Sequence, residues 1–277
     1  MRLPHIPGEW IDRSRPLAFS LEGKDYSGFA GDTVTSALWA AGVRTLGRSF
    51  KYHRRRGVLS AANHDINAMM QAGPALNLRA DATPLAQGMA LSPVNTFGAL
   101  GSDAGRWLDR LSAFLPVGFY YKAFHGRRVF PLWERVFRRL TGLGRLDFSA
   151  PRVRTHKRYD FCDVLVVGAG PSGIAAALAA AEAGAEVVVA DENARPGGSG
   201  LYQLAGDATS AQPIRDLLKA IAGQPRIRLR CGTLAAGYYA DHWVPLVDAE
   251  RMTKMRARSV VVATGAFEQP AVFRNND

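Results

Sequence analysis

A chain of 277 residues, 47% hydrophobic and 21% charged, has the composition of a globular protein that is long enough for two domains. Its two cysteines, Cys162 and Cys231, are too few for a disulfide framework, an iron–sulfur cluster or a closed zinc site, and they favour a reducing, cytoplasmic location. We find no signal-peptide core and no run of about 18 apolar residues, so we expect no membrane association.

The net charge of +11 lies in the first part of the chain. Residues 1–160 carry 24 Lys and Arg against 12 Asp and Glu, or +12, whereas residues 161–277 carry 11 against 12, or −1. The densest basic segment is 44–57, in which Phe50 and Tyr52 are interleaved with lysine and arginine. Composition leaves three interpretations open: a nucleic-acid patch, a solvated loop, or a contact to a partner subunit or cofactor phosphate.

Residues 1–90 have the pattern of a small ferredoxin-like β-grasp domain. Residues 17–29 alternate weakly around a turn at Glu22, Gly23 and Lys24, which predicts a β-hairpin. Asp32 is a suitable N-cap for a helix over residues 33–41, and residues 66–71 are a candidate returning strand. A hairpin followed by a helix is the order in which a β-grasp domain begins.

Residues 91–160 are predicted to form an irregular and partly helical connector. Gly, Pro, Ala and Ser are frequent in residues 72–105, where little periodicity is visible. Residues 107–115 and 132–140 have the character of short helices, and the aromatic cluster at 117–124 is interpreted mainly as core packing. The polar and basic stretch 145–160 marks the boundary of a second domain, 161–277.

Residues 164–191 have the pattern of strand, tight turn, helix and second strand that binds dinucleotides. Gly168, Gly170 and Gly173 form the sequence G-x-G-x-x-G directly after the apolar run 164–167. The first glycine permits the tight turn, the second lets a pyrophosphate approach the backbone, and the third allows close packing of helix on strand. Pro171 and Ser172 lie between these glycines and belong to the same predicted site.

An acidic residue follows at the expected distance. Asp191 lies 191 − 168 = 23 positions after Gly168, close to the roughly 20 expected of a carboxylate that binds the adenosine ribose. A carboxylate there favours a free 2′-hydroxyl over a 2′-phosphate, and the sequence does not separate Asp191 from Glu192 in this role. Four further residues in small-residue turns are predicted to bind the cofactor: Gly197, Gly198, Thr264 and Gly265.

The second domain is a partial Rossmann-like domain on this interpretation. The chain stops soon after the apolar run 259–264, where a nucleotide domain normally continues into further strands and a substrate module. We therefore expect a truncated domain from a longer protein, and the alternative is a minimal but complete binding protein.

Several segments taken together resemble the α subunit of heterotetrameric sarcosine oxidases, and with it related amine oxidase, opine oxidase and hydrogen cyanide synthase subunits. The similarity extends over most of the chain, which resembles the N-terminal part of that subunit. The segments that carry it are 31–42 (GDTVTSALWAAG), 48–53 (RSFKYH), 118–122 (GFYYK), 164–173 (VLVVGAGPSG), and 263–266 (ATGA) through 276–277 (ND).

The resemblance implies cofactors and partners that the residues alone do not show. It implies a first domain like a [2Fe–2S] ferredoxin that has lost its cluster cysteines, so that no iron–sulfur cluster is expected. The glycine fingerprint serves NAD and FAD alike, so the second domain is expected to hold NAD or FAD, and only the resemblance favours NAD. The resemblance also implies that FAD and covalent FMN belong to a β-type partner subunit. The basic loop would then face that subunit or its flavin rather than nucleic acid.

Two hypotheses of different class follow. In the first, the chain is part of an oxidase that acts on sarcosine or another secondary amine, and it supplies a dinucleotide site and part of a subunit interface while flavins carry out the chemistry. In the second, it is a non-catalytic binding module. No catalytic triad, metal cluster or pair of catalytic carboxylates is recognisable, so no catalytic residue is assigned.

Overall fold

The computed structural model describes residues 2–5, 9–59, 69–114, 118, 126–141, 155–201 and 212–266. The chain forms two compact units, one within residues 1–150 and the other within residues 151–267. The predicted domain boundaries at residues 90 and 160 stay predictions. The aromatic segment 117–124, apart from Gly118, and the residues after 266 lie outside the described residues.

The first unit is built on a five-stranded mixed sheet. Its elements are β1 (Asp12–Leu21), β2 (Lys24–Ala30), α1 (Val34–Ala40), β3 (Gly47–Arg48), β4 (Arg55–Arg56), β5 (Met69–Ala72), β6 (Ala75–Arg79), β7 (Met89–Pro93), a 3₁₀ helix (Ala104–Phe114) and α2 (Phe130–Thr141). The strand order in the sheet is β2-β1-β7-β5-β6. Strands β1 and β7 are parallel, and the other neighbouring pairs of this sheet are antiparallel.

Helix α1 lies on this sheet because its apolar face completes the core. Val34 and Leu38 of the helix are fully buried and pack with Phe19 of β1, Met70 of β5 and Leu91 of β7. The hairpin turns at Glu22 and Gly23 as predicted, and β7 returns beside β1 to close the β-grasp arrangement. The ferredoxin-like part of the predicted fold class is therefore confirmed.

Two local predictions in this unit are wrong. The N-cap of α1 is Thr33, whose hydroxyl accepts the Ser36 amide, whereas Asp32 is buried and accepts hydrogen bonds from the Phe29 amide and the Ser36 hydroxyl. Residues 72–105, predicted to be irregular, also contain β6 and β7. Each of these strands is only five residues long, and so short an alternation does not stand out in a stretch rich in Gly, Pro, Ala and Ser.

The basic loop 44–57 is partly internal. Arg48 and His53 are buried, and the His53 Nδ1 atom lies 2.7 Å from Oδ2 of the fully buried Asp103. Arg48 donates hydrogen bonds to the carbonyl groups of Leu100 and His53, while burial lowers the pKa of its guanidinium. The loop is therefore not a continuous basic surface, because the side chains of Arg48 and His53 point into the protein.

The second unit is built on a six-stranded sheet. Its elements are β8 (His156–Val167), α3 (Pro171–Glu182), β9 (Val187–Ala190), a 3₁₀ turn (Gly198–Leu201), α4 (Gln212–Ala222), β10 (Ile227–Arg230), β11 (Leu234–Ala235), a 3₁₀ turn (Ala240–His242), β12 (Trp243–Val247) and β13 (Arg251–Val262). The strand order in the sheet is β10-β9-β8-β13-β12-β11. Strands β10, β9, β8 and β13 are parallel, β12 is antiparallel to β13, and β11 is antiparallel to β12.

The parallel strands are covered on both faces, as their continuous apolar sequences require. One face carries Val166 and Val189 packed with Ile174 and Ala177 of α3, and the other carries a second cluster that includes Leu165 and Val188. This arrangement confirms the Rossmann-like part of the predicted fold class. Strand β8 begins at His156, so part of the polar stretch assigned to a domain boundary is instead paired with β13.

Candidate dinucleotide-binding site

The turn after β8 is built by glycines that a larger residue could not replace. Gly168 has a φ of +105°, and a Cβ on it would lie 2.3 Å from the Ala263 carbonyl oxygen at the end of β13. A Cβ on Gly173 would lie 1.9 Å from the Gly168 carbonyl oxygen. The first glycine thus permits a tight turn against the end of β13, and the third brings the start of α3 into direct contact with the turn after β8, as their predicted roles require.

Gly170 differs from these two glycines, because none of the described residues fills the space beside it. It is the N-cap of α3 in extended conformation, with no side chain capping the helix and with Pro171 in the first turn. The nearest heavy atom to a Cβ built on Gly170 is the Gly198 Cα atom, 4.0 Å away. The second glycine therefore leaves room at a helix N-terminus, which is the arrangement that accommodates a pyrophosphate.

A second glycine segment closes the other side of this space. The Gly197 amide donates a 2.7 Å hydrogen bond to the Ala169 carbonyl, and a Cβ on Gly198 would lie 2.9 Å from the Gly170 Cα atom. Gly197 and Gly198 have φ values of +125° and +52°. We call residues 168–173 together with 197–198 the glycine cradle, and the structure brings all of these predicted residues together.

Asp191 lies at the end of β9 and is bound to the cradle by its side chain. Its Oδ2 accepts the Ala169 amide at 2.6 Å, and its Oδ1 accepts the Asn193 amide at 2.8 Å and the Asn193 side-chain Nδ2 at 2.9 Å. The residue is 7% exposed. Sequence reasoning missed Ala169 because it contributes only its backbone amide, and it missed Asn193 because an asparagine two residues after an acid gives no signal of a hydrogen bond to that acid.

The remaining predicted residues border the same edge of the sheet. Glu192, which follows Asp191, is exposed, and Ser172 lies in the first turn of α3 and is exposed too. Thr264 and Gly265 follow β13 and are exposed, next to Ala263, whose amide donates to the Val167 carbonyl. The predicted site residues therefore lie together at the carboxyl ends of the parallel strands, as expected for a ligand site in an open α/β sheet.

Both cysteines of the chain lie in the second unit and are partly buried. Burial raises the pKa of the Cys162 thiol to about 11, and burial together with the nearby Asp191 carboxylate raises the pKa of Cys231. Among the described residues no group of three or more His, Cys, Asp and Glu side chains is arranged to hold a metal ion. In the same part of the chain, no helix is long and apolar enough to cross a membrane.

Two family models match the chain, one in each unit. Residues 14–96 match a 2Fe-2S iron-sulfur cluster binding domain, and residues 163–264 match an FAD dependent oxidoreductase. The second match covers β8 to the residues after β13 and so contains the glycine cradle.

Over nearly its whole length the chain is similar to α subunits of sarcosine oxidase. It is 37% identical to the sarcosine oxidase α subunit of Rhizobium meliloti over 96% of this chain and 29% of that protein, and 32% identical to the Corynebacterium sp. (strain P-1) α subunit over 100% of this chain and 27% of that protein. An opine oxidase subunit of Agrobacterium tumefaciens is 37% identical over 40% of this chain and 25% of that protein. The chain thus spans less than a third of the length of these relatives.

Among solved structures, L-proline dehydrogenase from P. horikoshii has a similar fold. The TM-score is 0.62 with 19% sequence identity, and the similarity covers 96% of this chain and 44% of that one. At this identity the likeness describes the fold alone.

The family matches contradict the predicted cofactors. The expectation that NAD is favoured and that no iron–sulfur cluster is involved is overturned by the match of the first unit to a 2Fe-2S cluster binding domain and of the second to an FAD dependent oxidoreductase. The donor set of the first unit does not fit such a cluster, since residues 14–96 contain no cysteine and both cysteines of the chain lie in the second unit. The glycine cradle, in contrast, fits an adenine dinucleotide such as FAD.

Proposed function

Because the chain is a homologue of sarcosine oxidase α subunits, we propose that it forms part of a flavoenzyme subunit for the oxidative demethylation of sarcosine or a related secondary amine. The observation that carries this proposal is the open space at Gly170, framed by two glycine segments, within a sequence that matches FAD dependent oxidoreductases. In this proposal the chain binds FAD in its second unit and supplies part of a subunit interface.

The residues that would hold FAD follow from the geometry of the cradle. Gly168 and Gly173 keep the turn close to the helix, and Gly170 leaves its backbone accessible. The amide groups at the start of α3, at the positive end of the helix dipole, would bind the phosphates of FAD. Once bound, FAD supplies acceptance and onward transfer of electrons, which is chemistry that belongs to the cofactor. The chain's own contribution is to bind and orient the dinucleotide.

The chain requires a partner in this proposal. Its relatives are named as subunits, which implies further subunits, and we propose a β-type flavin-binding subunit in a heterotetramer as the place where the amine is oxidised. The amine is a small-molecule substrate, and neither nucleic acid nor membrane is part of the proposed function. A cytoplasmic location agrees with two free, half-buried thiols.

Direct measurement of FAD binding tests the proposal. The purified chain is titrated with FAD by calorimetry, and its absorbance is recorded at flavin wavelengths before and after the titration. We expect saturable binding of one FAD per chain, and we expect Gly170→Trp to abolish it because an indole would fill the space beside Gly198. Binding that survives in Gly170→Trp, or a wild-type chain that does not bind FAD, would contradict the proposed site.

A further inference from the structure

Most of the hydrogen-bond acceptor positions of the Asp191 carboxylate are occupied by groups of the protein itself. A carboxylate has about four acceptor positions, and three of them on Asp191 are occupied by the Ala169 amide, the Asn193 amide and the Asn193 side chain. The contacts are 2.6–2.9 Å long and charge-assisted. A residue that is 7% exposed and bonded in this way has little of its carboxylate left for a ligand.

These contacts fix the peptide that lies between the first two glycines of the turn. The Ala169 amide donates to Asp191, and the Ala169 carbonyl accepts the Gly197 amide at 2.7 Å, so both polar groups of this residue are held. The neighbouring Gly168 and Gly170 carry no side chain that would restrict their conformation. The orientation of the turn is therefore determined largely by Asp191 on one side and Gly197 on the other.

Backbone hydrogen bonds extend the same connection to β10. The Asp191 amide donates to the Arg230 carbonyl at 3.0 Å, and the Thr233 amide donates to the Asp191 carbonyl at 2.8 Å. The Gly232 amide donates to the Asn193 carbonyl at 2.8 Å. Asp191 thus joins the glycine turn, the loop that leads to Gly197 and the turn after β10.

We infer that Asp191 is a positioning residue, which holds the glycine cradle in the conformation that accepts the dinucleotide and acts through Ala169 and Asn193 rather than by binding the ribose. The inference rests on the proposed FAD site. It separates two roles that the spacing of the sequence cannot separate, because a ribose ligand and an anchor of the glycine turn would both be acidic residues at the end of β9.

A comparison of two ligands distinguishes these roles. Asp191→Asn and the wild-type chain are titrated with FAD and with FAD that carries 2′-deoxyadenosine. If Asp191 acts through the cradle, the substitution weakens both ligands by the same factor, about tenfold to a hundredfold, because a charge-assisted acceptor is lost in either case. If Asp191 bound the ribose instead, the substitution would lower the affinity for FAD but not for the 2′-deoxy form, and that result would overturn the inference.

Asp163→Asn is the matched control. Asp163 also accepts a backbone amide next to β9, that of Glu186 at 2.9 Å, but it lies at the opposite end of the strand from the cradle. We expect its substitution to leave both affinities unchanged. Amide hydrogen exchange in the ligand-free chain should be faster at Ala169 and Asn193 in Asp191→Asn and unchanged there in Asp163→Asn; unchanged exchange in Asp191→Asn would overturn the inference.

Asp191→Glu provides a second variant in case Asp191→Asn does not fold. A longer acid cannot keep the contacts to Ala169 and Asn193 in the same geometry, so we expect weaker binding of both ligands, whereas a ribose ligand would tolerate the change because Asp and Glu both serve in that role. Undiminished FAD affinity in Asp191→Glu would refute the positioning role. A wild-type chain that binds neither ligand would refute the proposed function itself, and the inference with it.

Discussion

Replacing Gly173 by alanine should destabilise the second unit, although alanine is the better helix former. The new Cβ would lie 1.9 Å from the Gly168 carbonyl oxygen, roughly 1 Å inside the 3.0 Å that real Cβ atoms keep from their neighbours. The obstacle is backbone and cannot rotate away, so α3 must move from the end of β8. Overpacking of this kind costs about 3 kcal/mol, of which the gain in helix propensity offsets at most about 1 kcal/mol.

The net loss is thus about 2 kcal/mol, which corresponds to a decrease of roughly 8 °C in the melting temperature of a unit of this size. Amide hydrogen exchange, measured by mass spectrometry on peptides from β8 and β9, shows whether the loss of stability lies in the second unit. These strands are suitable reporters because their residues Val166 and Val189 pack against α3. We expect faster exchange in these strands and unchanged exchange in β1 and β2 of the first unit.

Gly170→Ala is the control for this prediction. Gly170 has a φ of −74°, so alanine is not strained there, and its Cβ would be 4.0 Å from the nearest atom. We expect the free energy of unfolding to stay within about 0.5 kcal/mol of that of the wild-type chain. Equal stability of Gly173→Ala and Gly170→Ala would refute the reasoning, since it would show that α3 does not depend on close contact with the turn.

Three further predictions concern the rest of the chain. Asp103→Asn should lower the free energy of unfolding of the first unit by about 3–5 kcal/mol in urea titrations, because it leaves the buried Arg48 without its carboxylate; a loss below about 1 kcal/mol would contradict this. The Cys162 thiol, with a pKa of about 11, should be alkylated at pH 8 about a hundredfold more slowly than an ordinary thiol, and rapid labelling of the native chain would disagree. Burial opposes ionisation of Asp160, but hydrogen bonds from Arg228 and the Phe161 amide lower its pKa below 3.8, so its stabilising contribution is present above that value and lost as the pH falls through the lowered pKa; Arg228→Met should flatten that acid dependence in pH-dependent unfolding.

Elements whose signals are local could be predicted from the residues alone. The apolar run before Gly168, the glycine spacing and the apolar run that ends at Asp191 predicted the strand, turn and helix of the second unit, because each glycine is required by a backbone constraint that acts within a few residues. In the same way, the turn at Glu22 and Gly23 predicted the first hairpin.

Features that depend on contacts between distant segments became visible only in the folded chain. Asp32 and Thr33 are both good N-caps, and the choice of Thr33 follows from burial of Asp32 against other elements. The extension of β8 to His156 depends on pairing with β13, about 95 residues later in the chain. Asp191 likewise has the spacing of a ribose ligand in the sequence, but the fold brings the Ala169 amide to its carboxylate, and a backbone donor from another segment leaves no trace in residue types.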